Sequence, residues 1–566
     1  MLSYSRDMKS PATQLRAQID GTVHTDTQTT ETYSHDASIY EISPEMVIKP
    51  AHTKDIKKIV RFVRDNKAHY PTLAITPRSA GTDMSGAAIG SSIVLDMTAH
   101  FSTLHSATTK SLHVQPGVFM RNIDPILTEK GVMLGCVPAS RALCTIGGMV
   151  GNNSGGEQSL RYGNTENFVR ELEVVLADGN AYTIKPLDRR ALHIKMEQGD
   201  FEGELYRKLY HLIEDNYDLV RNARPHVNKN SMGYNLWSVW DRDTGVFDLT
   251  RLFTGSQGTL GVITDIKLNV VKKAKHSGLL VLYLPNIKQL GEIIKLVMEH
   301  HPATFEGFDD ITFNLGIRHF SLFKAALGAK EWAKQQASLL SSVAKFKGHV
   351  PNMVLMVEFE GDTLDEVHAK INELSNKLNG FKLKKEVAGD ESASSKFWQI
   401  RRASLALLRQ RIKDKYASPF IDDLTVQPQY LPEFLPRLRK IIRKYKLPAT
   451  IAGHFGDGNF HIIPLMDISS PEDQAKLEPT MREIVPLVLE YKGTLAGEHN
   501  DGMVRGPWLP AVFGEEMYGI FKQTKVIFDP QNIFNPYKKT DATWEYSMDH
   551  IRSNHDRNLY KVKLLK

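Results

Sequence analysis

Apolar residues fall along this chain in two textures. From Ile39 to about Val271 they form short runs broken by glycine. Residues 48–50, 73–76 and 92–96 predict strands there, and 55–65, with Ile56, Ile59, Val60 and Val63 on one face, predicts an amphipathic helix. From Ser277 the runs lengthen. Residues 279–283 predict a strand, and Ile287, Leu290, Ile294 and Val297 space out one face of a helix. The pattern then repeats: a strand at 354–360, a turn and cap at 361–363, and a helix carrying Leu364, Val367, Ile371, Leu374 and Leu378. Two strand–helix units of matching length predict a ferredoxin-like α+β layer. A later helix is predicted from about 513 to 528. The first 37 residues, rich in Thr, Ser, Asp and Gln, predict an irregular lead-in, and the charged residues 540–566 a surface tail.

The 566 residues suffice for two to four domains. At 41% hydrophobic and 24% charged, the composition is that of an ordinary globular protein. A net charge of +6 is mild at this length; it allows attraction to anionic substrates or a membrane surface. Nucleic-acid binding would need a clustered basic patch, and the basic stretch 437–446 reads as a solvated helical face. Cys136 and Cys144 are the only cysteines, which predicts a reducing compartment, no disulfide framework and no iron–sulfur cluster held by this chain alone. Residues 1–20 lack the apolar segment of a signal peptide. The apolar stretch 131–151 is interrupted by Pro138 and Arg141 and does not read as a membrane span.

Candidate chemistry concentrates at 454–461, His-Phe-Gly-Asp-Gly-Asn-Phe-His. Asp457-Gly458 suits a two-residue hairpin turn. Centred there, the hairpin pairs 457 with 458 and 454 with 461, so the histidines face each other with Cα atoms roughly 4.5–5.5 Å apart. Downstream, Glu498 precedes a third histidine, His499. Two histidines and a carboxylate suit a catalytic divalent metal such as zinc or manganese. The alternative is that the histidines are polar neighbours on an exposed hairpin.

Three glycine-rich blocks precede that site. Residues 76–86 follow a predicted strand, and Gly81 among small residues lets backbone N–H groups converge on an anion. The spacing is not that of a dinucleotide-binding Rossmann turn, because the first glycine is missing. Residues 145–156, followed by Arg161-Tyr162-Gly163, and residues 255–264 form the other two. Close backbone approach to a ligand is one reason for such density, and simple turn formation is another.

Taken together, residues 77–86, Pro138 with 145–163, 255–264, 398–401, 454–461, Glu498-His499 and Asn535-Pro536 resemble the FAD-linked oxidases of the vanillyl-alcohol-oxidase, or PCMH-type, fold. Within them the chain is most similar to the D-2-hydroxy-acid dehydrogenases, which act on D-lactate, glycolate or D-2-hydroxyglutarate. The resemblance covers 39–539. It implies an α+β architecture: a lead-in (1–38), a two-lobed FAD-binding domain (39–272), a ferredoxin-like cap over the substrate (273–500), a segment returning to the flavin domain (501–539) and a tail (540–566).

The resemblance also implies roles for single residues. Pro77, Arg78, Ser79, Ala80, Gly81 and Thr82, with Pro138, Thr145, Gly147, Gly148, Asn152, Gly155 and Gly156, match positions on the FAD pyrophosphate and ribityl chain. Val262 and Ile263 match positions near its adenine half, and Asn535 one near the isoalloxazine. His454, His461 and Glu498 match metal ligands, His499 a proton-abstracting base and Arg401 a grip on the substrate carboxylate. The implied reaction oxidises a D-2-hydroxy acid to a 2-oxo acid, with the α-hydride passing to flavin N5. The FAD is expected to be non-covalent, since 77–82 contains no histidine to tether it.

A separate electron acceptor is implied (a quinone, a cytochrome or an iron–sulfur protein), with a cytoplasmic location that leaves a peripheral membrane contact and a homodimer open. The chain departs from the pattern at 500–502, Asn-Asp-Gly, and at Leu405 and Ile421, where the 2-hydroxyglutarate enzyme has polar residues; Arg402 and Arg409 are the nearby substitutes. The competing readings are a metal-free flavin oxidase or synthase, a flavin-free metal hydrolase and a non-catalytic electron-transfer subunit.

Overall fold

A computed structural model of the protein describes residues 10–344, 350–389, 391–404, 408, 412 and 415–553. Three sheets organise it. The first has four strands in the order Thr22–His24, Met46–Lys49, Ile93–Asp96, Ile75–Arg78, and its last three strands run parallel. The helix Thr53–Asn66 supplies Ile56, Ile59, Val60 and Val63, all fully buried, to the core beneath this sheet. The periodicity of 55–65 is therefore realised with slightly wider bounds.

The second sheet is antiparallel, in the order Leu104–Ala107, Ser111–Val114, Val262–Asn269, Val169–Val175, Ala181–Ile184. Burial alternates along Val262–Asn269, as expected for a strand with one face on the core.

The third sheet has seven strands, and four of them carry the ferredoxin-like layer. Lys384–Ala388, His276–Leu284, Met353–Gly361 and Thr304–Asp309 lie side by side, fourth, first, third and second in chain order, all antiparallel. The helices Leu290–Glu299 and Leu364–Lys377 follow the first and third of these strands. The strands and helices of the predicted repeat are present, with three differences: Leu378 follows its helix, which ends at Lys377, and the other two lie at the helix starts. Ile287 lies ahead of its helix, and Leu364, at the first helical position, is exposed. Ile451–His454, Asn459–Ile462 and Leu424–Thr425 extend the sheet and bring the predicted hairpin into this layer.

Both chain ends correct the sequence expectation. The lead-in 1–38 is not irregular among its described residues: it forms helix Pro11–Arg16, strand Thr22–His24 and helix Thr27–Tyr33. The polar residues that suggested a loop are its caps, Ser10 accepting from Thr13 N and Asp26 from Thr29 N, while Leu15, Ile19 and Val23 enter the core. The tail also packs, through helix Trp544–Asp549 and then Arg552, which is buried and donates to the carbonyls of Tyr40 and Asp36.

Between these ends, Asn535 N donates to Ile75 O, so the C-terminal segment returns to the first sheet. No described helix is long and apolar enough to cross a membrane.

Candidate active site

A cavity of about 350 Å³ runs from the end of strand Ile75–Arg78 to the last strands of the seven-stranded sheet. Pro77, Arg78, Ser79, Ala80, Gly81, Thr82, Pro138, Thr145, Gly147, Gly148, Asn152 and Ile263 line one part of it. Arg401, His454, His461, Glu498 and His499 line the other. Most of the sequence-predicted residues thus meet in a single space.

Four of them do not reach it. Gly155 packs against Asn164 and Ser159, and Gly156 against the carbonyl of Val137. Val262 is fully buried in the core, because successive strand residues point to opposite faces and only Ile263 turns to the cavity. Asn535 accepts from Thr76 Oγ1 and donates to the carbonyls of Ala87 and Gln257, so it ties the cavity wall from behind.

The histidine hairpin forms with a different register. Its strands pair His454 with Asn459 and Ala452 with His461, around a four-residue turn at 455–458. Only Gly458 takes a positive φ, +68°; a Cβ there would lie 1.8 Å from Val426 O. Asp457 keeps a negative φ, so the two-residue turn that requires both central residues in the left-handed region does not form. Its side chain instead reaches Lys229, with a closest approach of 3.3 Å. The shift changes each partner by two positions, which preserves the face. His454 and His461 therefore stay together, diagonal rather than opposite, with Nε2 atoms 3.3 Å apart. His454 and Glu498 are each only 5% exposed, which rules out an exposed decorative hairpin.

Buried carboxylates absent from the sequence reading aim these rings. Glu306 contacts His454 Nδ1, and Asp422 Oδ1 lies 3.3 Å from His461 Nδ1. Asp422 Oδ2 lies 2.8 Å from His499 Nδ1. Asp423 accepts from the backbone N–H groups of Glu498 and His499, which fixes that dipeptide. Glu306 sits between Phe305 and Phe308 in the fully buried strand Thr304–Asp309, and Asp422-Asp423 interrupts another apolar run; carboxylates in such settings were the available signal. Lys229, 2.8 Å from Glu498 Oε1, carried no such signal.

The same partners set the charges. Burial opposes the charged form of His454, yet Glu306 and Glu498 push its pKa up to about 9 against the pull of Lys229. Burial likewise opposes a charge on His499, but Asp423 and Asp422 push it up to about 9. Desolvation raises the Glu498 carboxyl while Lys229 and His454 hold it well below its ordinary value. Both histidines ordinarily titrate near 6.5, so each adds stability that is complete below pH 6.5 and is lost as pH rises through about 9. The metal-free protein is therefore expected to lose denaturant resistance between pH 6.5 and 9. A flat profile of unfolding midpoints across that window would contradict these pairings.

The donor set fits a divalent cation. One ligand atom each from His454, His461 and Glu498 lies within 4.8 Å of the others. Both Nδ1 atoms are engaged by carboxylates, the arrangement that aims metal-binding imidazoles through Nε2, and His454 Nε2 lies 2.8 Å from Glu498 Oε1.

The opposite end fits an extended cofactor. A side chain at Gly151, which also lines the cavity, would meet nothing within 4 Å, and one at Gly148 would make only ordinary contacts. That wall is left open by the absence of side chains.

Arg401 differs from expectation. Its Nε and Nη2 both bond Glu306 Oε2, at 3.0 and 2.9 Å, so the two-donor fork expected for substrate is already used, apart from Nη1. Beside it Arg402 also lines the cavity; it is 55% exposed and pairs with Glu157. Leu405 and Arg409 lie outside the described residues, and Ile421 is buried in the core.

Two family profiles match the chain: the FAD binding domain over residues 44–185 and the C-terminal domain of FAD linked oxidases over 273–539. The chain belongs to the FAD-linked oxidase family. It is 26% identical over 524 residues to the D-2-hydroxyglutarate dehydrogenase of Escherichia coli (strain K12), a match covering 90% of this chain and 49% of that protein. It is 27% identical to the glycolate oxidase subunit GlcD of Bacillus subtilis (strain 168), covering 89% of this chain and 91% of the subunit. The chain thus spans about half the length of the D-2-hydroxyglutarate dehydrogenases it matches. Among solved structures, substrate-bound p-cresol methylhydroxylase aligns with a TM-score of 0.65 at 14% identity, over 94% of this chain and 96% of that one. That likeness establishes the PCMH-type fold.

An FAD-binding domain removes the flavin-free hydrolase from consideration. FAD release by acid or heat is the expected outcome, with the yellow colour in the supernatant. The loop 77–82 has no histidine, and burial pushes the thiol of cavity-lining Cys144 up to about 11, leaving it a poor nucleophile. Gly151→Leu is expected to lower the flavin absorbance of the purified protein. Colour that stays with the precipitate would contradict the first expectation, and full occupancy of the variant the second.

Proposed function

We propose that the protein oxidises a D-2-hydroxy acid to the 2-oxo acid, using non-covalent FAD and a divalent metal on His454, His461 and Glu498. The observation that carries this reading is the continuity of one cavity from the glycine-walled cradle to the histidine–carboxylate cluster. When bound, FAD supplies the two-electron acceptor, and the metal supplies positive charge for the substrate's hydroxyl and carboxylate oxygens.

The chain's own residues do the rest. The cradle orients the cofactor through 77–82 and the 145–152 wall. His499 takes the hydroxyl proton at Nε2, since Asp422 occupies its Nδ1. Glu306 holds both His454 and Arg401 in place. Arg401 Nη1 and the half-exposed Arg402 are the cationic groups for substrate carboxylates; a second carboxylate on a longer substrate would pair with Arg402 in exchange for Glu157. Electrons then leave to a separate acceptor, with the protein in the cytoplasm or at the inner face of a membrane.

The raised pKa of His499 has a consequence for this role. In the metal-free protein it holds a proton to about pH 9 and is no base at neutral pH. Positive charge on the neighbouring ligands opposes that proton.

His454→Ala and His461→Ala are each expected to lose metal and D-2-hydroxy-acid turnover while keeping flavin. Full turnover by metal-free protein would instead favour the metal-free oxidase, a reading supported by Lys229, which already gives Glu498 a cationic partner at 2.8 Å.

A further inference from the structure

A second histidine–carboxylate group lies part-exposed on the five-stranded sheet, and none of its members lines the cavity. His105 is in the edge strand Leu104–Ala107, His113 in Ser111–Val114 and Asp265 in Val262–Asn269. His105 Nε2 lies 2.9 Å from one Asp265 oxygen, and His113 Nε2 contacts the other. The two rings are 4.4 Å apart between centroids, tilted by 39°. One donor atom from each of the three residues lies within 4.8 Å of the others.

Two irregularities in the ladder create this meeting. Leu104 pairs with Val114 and Ser106 with His113, so His105 is the extra residue of a bulge. On the other side, Ile263 pairs with Val174 and Asp265 with Glu173, which leaves Thr264 as the extra residue there. Bulges re-aim side chains, and here one contains His105 and the other adjoins Asp265.

The electrostatics ask for a cation. Asp265 and Glu173 are direct cross-strand partners, a like-charge opposition that is unfavourable by itself. Among the described residues neither pairs with a lysine or arginine; Glu173 is bonded by Thr53 and Thr264. Lys267, which stands opposite His113, is drawn off by Glu171 at 2.6 Å. The face therefore presents two imidazoles and the opposed Asp265 and Glu173 carboxylates, with the nearby Lys267 already held by Glu171. All three candidate ligands remain part-exposed, at 36, 30 and 24%, so an ion from solvent can reach them.

We propose that His105, His113 and Asp265 form a second divalent-metal site, of zinc or nickel type from its two imidazoles and one carboxylate, with water completing the shell. Its structural effect is to clamp the edge strand Leu104–Ala107 to the two strands beside it. Such a clamp both stabilises the edge and withdraws it from pairing with another chain.

Zinc counting on flavin-loaded protein tests the proposal. After equilibration with zinc chloride and dialysis, the double variant H105N/H113N and the single variant D265N are each expected to hold one zinc fewer per chain than the wild type. Flavin absorbance and turnover should be unchanged, and the zinc-dependent rise in Tm should be lost. The readout is a difference between proteins that share His454, His461 and Glu498, so it stands whether or not those residues hold a metal. Equal zinc counts in all three proteins would overturn the proposal. The wild type alone gives a second test: zinc should protect His105 and His113 from diethyl pyrocarbonate, and equal modification with and without zinc would also overturn it.

Discussion

His499→Asn should slow flavin reduction by about 10²–10⁴-fold while metal and FAD stay bound. The ring faces Asp422 through Nδ1 and stacks on His461, so the proposed base stands beside the proposed ligands His461 and Glu498. Asparagine preserves much of the shape and can still bond Asp422, but it cannot accept the hydroxyl proton. Glu498→Gln should behave in the opposite way, releasing or weakening the metal. The two variants are separated by metal analysis together with stopped-flow bleaching of the flavin. If their phenotypes were exchanged, ligand and base would have to be reassigned. Wild-type reduction rates in both would move the chemistry to another site.

Asp422→Asn should cost about 10–100-fold in metal affinity and in turnover, although Asp422 is neither a proposed ligand nor a proposed substrate contact. One carboxylate faces Nδ1 of both His461 and His499, and the same oxygen that meets His461 also accepts from the backbone N–H of Ile462. The charges of the two histidines hold its carboxyl far below the ordinary range in spite of burial. An amide keeps the volume and removes the charge, so tautomer and orientation are lost at both rings together. A merely structural role would lower stability alone. The decisive sign is a shift in the pH profile of turnover along with weaker metal binding; a variant with an unchanged profile and affinity would contradict the positioning role.

Local signals made legible the parts of this site that are contiguous in the chain. Residues 77–82, the 145–152 wall and the Glu498-His499 dipeptide each declare themselves within a few positions, and all reach the cavity. The histidine pair was legible for a different reason. Its predicted register was wrong, yet strand periodicity of two kept both rings on one face. Val262 shows the same rule misapplied, since the neighbour of Ile263 must point away from the cavity.

What stayed hidden came from afar. Glu306, Asp422 and Lys229 act on residues 39 to 269 positions away, and pairing at that separation is a property of the fold. Arg401 was legible as a cation at the site, but its engagement by Glu306 was not. The capped helices of the lead-in were missed because the same Ser and Asp residues serve loops and helix starts equally.

Metal-assisted oxidation of a D-2-hydroxy acid is tested most directly by anaerobic bleaching of the bound flavin across paired D- and L-2-hydroxy acids, before chelation, after chelation and after metal is restored. Bleaching is expected with at least one D-acid and not with its L-enantiomer, together with its loss on chelation and its recovery with a divalent metal. Flavin that stays oxidised with every D-2-hydroxy acid in the metal-loaded protein would contradict it.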